Sequence, residues 1–401
     1  MGSLAWRFDE REYNYVKEVL DSGFASGTTG NMNSRLEHAF SKKFGLNYAV
    51  TFNSGTTTLH AALVALGVGY DDEVIIPALT VAMCMNAVLY CNAIPVFADI
   101  DPDTFLMDPK DLRKKITKKT KAIMPVHLYG QVCDMTEIMK IAEEFGLKVV
   151  EDCAQCYLGT HKGKIGGTFG DVGSWSFENS KHLTTGDGGI IACNNENIAE
   201  KIRKLNTCGF RNATAKSGKV RIDKDIFQNP SYKRHDTFAF MYRMPEVAAA
   251  LGLAQIEKLD WFVEKRKKMA VLYKQVIENT KCSWLKPQNT PTGDINSYYT
   301  FAARFVNNDI KWEDLRKKHV EYGGDGIYAA WALTYKEDSI PDIKRFLKSI
   351  KLDNRINTND GLCPNAELVQ PQLMQFTTNQ KDDAEMHLQA DALFKAIKYF
   401  S

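Results

Sequence analysis

The chain has 401 residues, 44% of them hydrophobic and 25% charged, with a formal net charge of +2. That is room for two domains, or one large α/β domain with an appendage, at the composition of a soluble globular enzyme, and it gives no argument for nucleic acid or an acidic membrane as partner. No apolar run is long enough to span a bilayer, and the start Met1-Gly2-Ser3-Leu4-Ala5-Trp6 lacks a basic stretch followed by an apolar core, so neither a membrane span nor a secretory signal is expected.

Apolar, β-branched runs recur at 48–53, 73–77, 94–100, 121–128, 148–152, 173–177 and 189–193. Helical patterns lie between most of them. In 56–66, Leu59, Ala62, Leu63 and Leu66 share one face, and 135–145 and 197–205 repeat the spacing. The alternation predicts an α/β fold with a mainly parallel, seven-stranded sheet sandwiched by helices. Strand ends and the loops after them are then the expected place for a ligand. Residues 212–236 break the rhythm: they are polar and basic, hold Gly218 and Pro230, and read as a long exposed insertion. Its cations Lys216, Lys219, Arg221, Lys224, Lys233 and Arg234 suit either a solvated loop or recognition of phosphate or carboxylate. Residues 245–273 read as a long helix joining a large domain, 1–260, to a smaller α+β domain, 261–401. The smaller domain has a strand-like run at 298–306 and ends in a helix at 382–399.

The chemistry concentrates at two strand ends. Glu151-Asp152-Cys153-Ala154-Gln155 closes an apolar run, and Ser174 to Gly189 holds a lone lysine, Lys181, in a Ser-, Thr- and Gly-rich turn. Pyridoxal phosphate (PLP) chemistry needs these groups. The lysine amine forms a Schiff base with the cofactor aldehyde and then serves as general base, and an aspartate keeps the pyridine nitrogen protonated so that the ring acts as an electron sink. Lys181 and Asp152 are the catalytic candidates. Gln155 suits either a hydrogen bond to the cofactor's phenolate oxygen or the filling of a polar corner. Ser54-Gly55-Thr56 opens a helix after a strand, where free N–H groups attract phosphate, so Gly55 and Thr56 are cofactor candidates and Ser176 can add a hydroxyl. Gly186-Asp187-Gly188-Gly189 gives a tight turn. Nine cysteines without a disulfide-like rhythm suit a reducing cytoplasm. Cys153-Ala154-Gln155-Cys156 is formally C-x-x-C, but no second pair exists to complete a metal site, and small apolar residues beside a cofactor are the simpler reading.

Together these motifs resemble the DegT/DnrJ/EryC1/StrS family of sugar aminotransferases, which have the fold type I architecture of aspartate aminotransferase. The resemblance begins at Ser22-Gly23, with Gly27 and Gly30, and continues through Ser54-Gly55-Thr56, Asp72 to Pro77 and Pro95 to Pro102. It takes in His127-Leu128-Tyr129-Gly130-Gln131, the Glu151 run and Ser176 to Gly189, then closes on Tyr242-Arg243-Met244 and 248–260. It implies a homodimer with active sites at the subunit interface, an amino donor that is usually L-glutamate, and a keto-sugar acceptor, often nucleotide-linked. It also implies a place in aminosugar or surface-polysaccharide synthesis, and it assigns His127 and Arg243 to substrate contact. Relatives with His in the lysine slot act as dehydratases. Here Lys181, not His182, fills that slot, which favours transamination over a dehydratase or a non-catalytic regulatory role; a free keto sugar or sugar acid remains the alternative acceptor. Two positions depart from the family pattern. Val81 follows Thr80 where an aromatic residue commonly stacks on the cofactor ring, and Met241 stands where an asparagine usually reaches the phosphate across the dimer.

Overall fold

The structure is a computed structural model, and it describes residues 4–26, 29–219, 222–307 and 309–401. Strands β1 (Tyr48–Phe52), β2 (Glu73–Pro77), β3 (Ile94–Ala98), β4 (Thr120–Ile123), β5 (Lys148–Asp152), β6 (Thr160–His161), β7 (Lys164–Ile165), β8 (Val172–Ser176) and β9 (Gly189–Cys193) appear in chain order. Seven of them form one sheet in the order β1-β9-β8-β5-β4-β2-β3, and β6 and β7 pair separately as a small hairpin. Only β9 runs against its neighbours; the other pairings in the large sheet are parallel. The C-terminal ends of β1, β5 and β8 therefore share one edge of the sheet.

Each strand follows from its sequence. Buried parallel strands are covered on both faces, so they read as continuous apolar runs, and β2, β8 and β9 are buried at every residue. The run expected at 121–128 stops at Ile123. Pro125 has no N–H to continue the ladder, although its carbonyl still accepts from Asp152 N at 2.9 Å. Helix Gly55–Ala65 begins under the cap of Ser54, whose hydroxyl accepts from Thr57 N, and it buries Leu59, Ala62 and Leu63 against the sheet.

The expected long helix at 245–273 is two helices, Glu246–Glu257 and Leu259–Thr280, broken at Lys258. The first packs on helices Glu10–Asp21 and Met32–Phe44, and the second on the C-terminal helix Asp383–Tyr399. A four-stranded antiparallel sheet follows: β10 (Leu285–Pro287), β11 (Phe301–Phe305), β12 (Tyr328–Ala329) and β13 (Leu373–Phe376), in the order β10-β11-β13-β12. The chain between β12 and β13 returns to the large sheet. Ile343, Leu347, Ala366 and Val369 join the main core, and Asp99 accepts from the amides of Asn365 and Ala366 at 2.9 and 2.8 Å. We propose the domain division near residue 260, with the smaller unit anchored on the larger over a second surface through this excursion.

The insertion at 212–236 carries a short helix, Lys224–Gln228, with no buried residue. It is tied back by Arg211 N, which donates to Arg234 O at 2.9 Å. Gly27, Arg221 and the first three residues lie outside the described residues.

One buried ion pair fastens helix Met32–Phe44 to the sheet. Arg203 meets Glu37 through two bonds of 2.6 and 2.8 Å, and Glu37 also accepts from the amide and hydroxyl of Thr51, each at 2.9 Å. Arg203→Met leaves a buried carboxylate without its cation, a loss on the order of 3–5 kcal/mol. Urea unfolding should show that drop; a change below about 1 kcal/mol would contradict the role given to this pair.

Candidate active site

The edge shared by β1, β5 and β8 gathers the residues singled out in the sequence. The first amides of helix Gly55–Ala65 have no intrahelical acceptor and point outward with the positive end of the helix dipole. Ser176, at the end of β8, lies against this helix start. A Cβ added at Gly55 would fall 2.7 Å from the Ser176 Cβ and 3.0 Å from its Oγ. Below them, Thr58 Oγ1 and Ser174 Oγ are 2.7 Å apart. Free amides, a hydroxyl and a glycine that keeps the space open make a cradle suited to a phosphate group.

At the end of β5 the two consecutive carboxylates are used differently. Glu151 is fully buried, and its oxygens accept from Gly167 N, Phe169 N and Gly170 N, each at 2.7 Å, and face His127 Nε2 at 2.9 Å. Its bonding capacity is spent on the loop at 166–170. Asp152, also buried, accepts from Ala154 N at 2.9 Å and from the Cys84 thiol at 3.1 Å. Burial first, and the Asp152 charge second, push the Cys84 thiol well up, so it stays protonated as a donor. A thiol is a weak donor. Asp152 is thus the carboxylate that retains capacity for a further strong partner such as a pyridinium N–H.

Lys181 is half-buried, and its Nζ lies 4.8 Å over the Tyr299 ring. Its loop is pinned at both ends: Phe177 N donates to Gly188 O at 2.9 Å and Thr185 N to Phe177 O at 3.0 Å. Gly186, at φ +83°, supplies the left-handed residue that the turn needs. His182 points elsewhere. Its ring is buried, with Nε2 3.0 Å from Ser297 O, and burial holds its pKa well below the ordinary histidine value. The neutral ring then donates from Nε2.

Gln155 is buried, and its Oε1 accepts from Tyr129 N at 2.9 Å, which leaves the amide –NH2 as its donor end. His127, expected at the substrate, is fully buried. Nε2 faces Glu151, and Nδ1 accepts from Cys133 N at 3.2 Å, so both nitrogens are taken by the protein. Arg243 lines a polar cleft with Asn33, Arg203, Lys216 and Lys219, and its Nη1 is buried with no hydrogen-bond partner among the described residues. Val81 caps helix Ala82–Tyr90, half-buried against the main core. Met241 is 57% exposed beside Cys208. Cys153 and Cys156 are buried free thiols whose pKa values are raised chiefly by burial, that of Cys156 to about 12. Sequence reasoning missed Cys84, Tyr299, and the two arginines behind the lysine loop, Arg7 and Arg266. None sits in a motif, and all reach the site through distant contacts.

The fold is that of a fold type I, PLP-dependent aminotransferase. The chain belongs to the DegT/DnrJ/EryC1/StrS aminotransferase family, which it matches over residues 7–323. Among its relatives, a GDP-perosamine synthase of Escherichia coli O157:H7 is 38% identical over 269 residues, 67% of this chain and 69% of the relative. The GDP-perosamine synthase of Caulobacter vibrioides is 39% identical over 288 residues, 72% of each chain. Among solved structures, an aminotransferase from Psychrobacter cryohalolentis superposes with a TM-score of 0.86 at 25% identity over 98% of both chains. A GDP-4-keto-6-deoxymannose-3-dehydratase with bound GDP-perosamine superposes with a TM-score of 0.80 at 25% identity, covering 96% of this chain and 98% of the other.

The cradle gives a direct test. Gly55→Ala drives a methyl group into Ser176. Overpacking of this kind costs about 1–3 kcal/mol, so PLP affinity measured by fluorescence titration should fall about fivefold or more. Unchanged affinity would remove Gly55 and Ser176 from the phosphate site.

Proposed function

We propose that this enzyme moves the amino group of an amino acid, L-glutamate in the first instance, onto a nucleotide-linked keto sugar, with a GDP-linked sugar as the first candidate. The observation that carries the transaminase reading is the placement of Lys181. It lies just beyond β8, on the edge where β5 presents an under-used buried aspartate, and the neighbouring His182 ring is turned away toward Ser297. When bound, PLP supplies an electrophilic aldehyde and an electron-withdrawing ring. The chain's own groups do the rest. Gly55 and Thr56 amides with the Ser176 hydroxyl hold phosphate. Asp152, steadied by Cys84, would accept from the pyridine N–H, and the Gln155 amide would donate to the phenolate. With the cofactor bound, Lys181 Nζ would move a proton from the donor's α-carbon to the cofactor carbon that carries the nitrogen, and in the second half-reaction would take a proton from that carbon and deliver it to the acceptor carbon. Arg243, with a buried guanidinium nitrogen that has no hydrogen-bond partner among the described residues, meets an anionic group of the substrate. The sugar acceptor rests on the likeness to GDP-perosamine synthases.

The functional unit we propose is a homodimer that completes the site. An aromatic cluster supports it. His60 meets the rings of Tyr90 and Phe240 at 5.8 and 4.9 Å, Phe240 stacks on Tyr242 at 5.0 Å, and Phe238 lies 5.9 Å beyond. Phe238 is 89% exposed and Tyr90 57% exposed, a patch that suits a protein partner. Among the described residues, no helix is long and apolar enough to cross a membrane. We place the enzyme in the cytoplasm, in keeping with its buried free thiols.

Two experiments check this reading. Enzyme given L-glutamate and a GDP-linked keto sugar should yield 2-oxoglutarate and the amino sugar over many turnovers, and Lys181→Ala should lose multiple turnover while remaining folded. Sustained turnover by Lys181→Ala would overturn the assignment of the lysine, and equal rates with the free keto sugar would overturn the nucleotide requirement. Phe238→Asp should shift the sedimentation equilibrium from dimer toward monomer; a wild-type monomer would contradict the shared site.

A further inference from the structure

The loop that carries Lys181 lies between two buried guanidinium groups. From the N-terminal turn Leu4–Arg7, Arg7 donates through Nη1 to Asn179 O at 2.8 Å, and through Nη2 to Lys181 O at 2.7 Å and His182 O at 2.8 Å. From helix Leu259–Thr280, Arg266 donates through Nη2 to Ser180 O at 3.3 Å. Four consecutive carbonyls, 179 to 182, are thus held from two directions. The other Arg266 nitrogen, Nη1, reaches the C-terminal sheet: it donates to Tyr299 O at 2.7 Å and Thr378 Oγ1 at 3.1 Å. Those two residues flank the neighbouring strands β11 and β13. Tyr299 completes the link. Its hydroxyl is 2.7 Å from Ser180 Oγ, and its ring lies under both Lys181 Nζ, at 4.8 Å, and Arg266 Cζ, at 5.7 Å.

This arrangement is costly. Arg7 and Arg266 are 2% and 5% exposed, and neither makes an ion pair among the described residues. Burial pulls their pKa values down to about 10 and about 9, and the Arg7 charge adds to the strain on Arg266. Two cations with only carbonyl, hydroxyl and ring-face partners are a poor way to stabilise a fold, since apolar residues would fill the same space at lower cost. The planar fork of arginine does give something no apolar residue can: several donors in fixed directions.

We propose that Arg266, with Arg7 opposite it, is a positioning residue that holds the Lys181 loop in the geometry for attack on the cofactor aldehyde and ties that geometry to the C-terminal sheet through Tyr299 and Thr378. The proposal rests on Lys181 being the lysine that bonds the cofactor. A shift of the C-terminal sheet around a substrate moves Tyr299 O and Thr378 Oγ1, and through Arg266 it moves Ser180 O next to the lysine. The cradle of Gly55, Thr56 and Ser176 lies outside this clamp, so phosphate binding and lysine positioning are separable.

The test uses full-length Arg266→Met and Arg266→Lys with two readouts. One is the affinity for pyridoxamine phosphate, which cannot bond a lysine and so reports the cradle. The other is the rate of covalent bond formation with PLP in stopped-flow absorbance, with the site located by borohydride reduction and peptide mass. We expect pyridoxamine phosphate affinity within about twofold of wild type and a bonding rate at least about tenfold lower, because a small misplacement of the attacking atom is enough to cost that much. Arg266→Lys, which keeps the charge and loses the fork, should behave like Arg266→Met. Both readouts unchanged, or both lowered by the same factor as in a generally loosened fold, would overturn the proposal. If Arg266→Met does not fold, the same pair of measurements on Arg266→Lys decides. Wild-type enzyme that bonds PLP at a residue other than Lys181 would refute the lysine assignment rather than the clamp.

Discussion

An ionised carboxylate inside a protein needs donors or a cation around it. At the end of β5, two consecutive residues meet that constraint with opposite outcomes. Strand geometry sends neighbouring side chains to opposite faces. On one face Glu151 is surrounded by three amides and His127 and is fully spent on folding the loop below it. On the other face Asp152 keeps one amide and one thiol, which satisfies it in part and leaves it capacity for a further donor, the role proposed for it. The site is arranged around that difference. The sheet order puts β8 beside β5, so Ser176 and the lysine loop come to the edge where Asp152 stands, and β1 delivers the helix start that faces Ser176.

Much of this is legible in the sequence because the signals are local. Buried strands read as apolar runs, a glycine after Ser54 marks a helix start open to a phosphate, and a lone lysine in a Ser/Gly turn stands out against the usual surface lysine. Two local readings overshoot. The fourth strand stops at Ile123 before a proline that cannot continue its ladder, and the run at 245–273 hides a break at Lys258 because neither glycine nor proline marks it. What the sequence does not announce is contact at a distance. Arg7 and the lysine carbonyl it holds are 174 residues apart, and no periodicity predicts that pairing. His127 shows the opposite difficulty: it lies in a recognisable motif, yet its neighbours take both its nitrogens, a fact only the folded chain contains.

The two departures from the family pattern acquire physical settings. Val81 packs half-buried against the main core at a helix start. Met241 is exposed, with its sulfur near the Cys208 thiol, where a polar side chain is commoner in the family. The C-terminal part is joined to the large domain at several places, among them the excursion before β13 that Asp99 caps, the backbone pairing of Ile295 with Thr160, and Arg266 behind the lysine loop.

The most direct test of the central claim is the absorbance spectrum of PLP-loaded enzyme before and after adding L-glutamate with no acceptor present. An aminotransferase with Lys181 and Asp152 in these roles converts the visible band of the lysine-bound cofactor to that of the pyridoxamine form and releases one 2-oxoglutarate for each cofactor consumed. A bound cofactor whose spectrum does not change with glutamate or any other amino donor, with no keto acid released, would contradict the account.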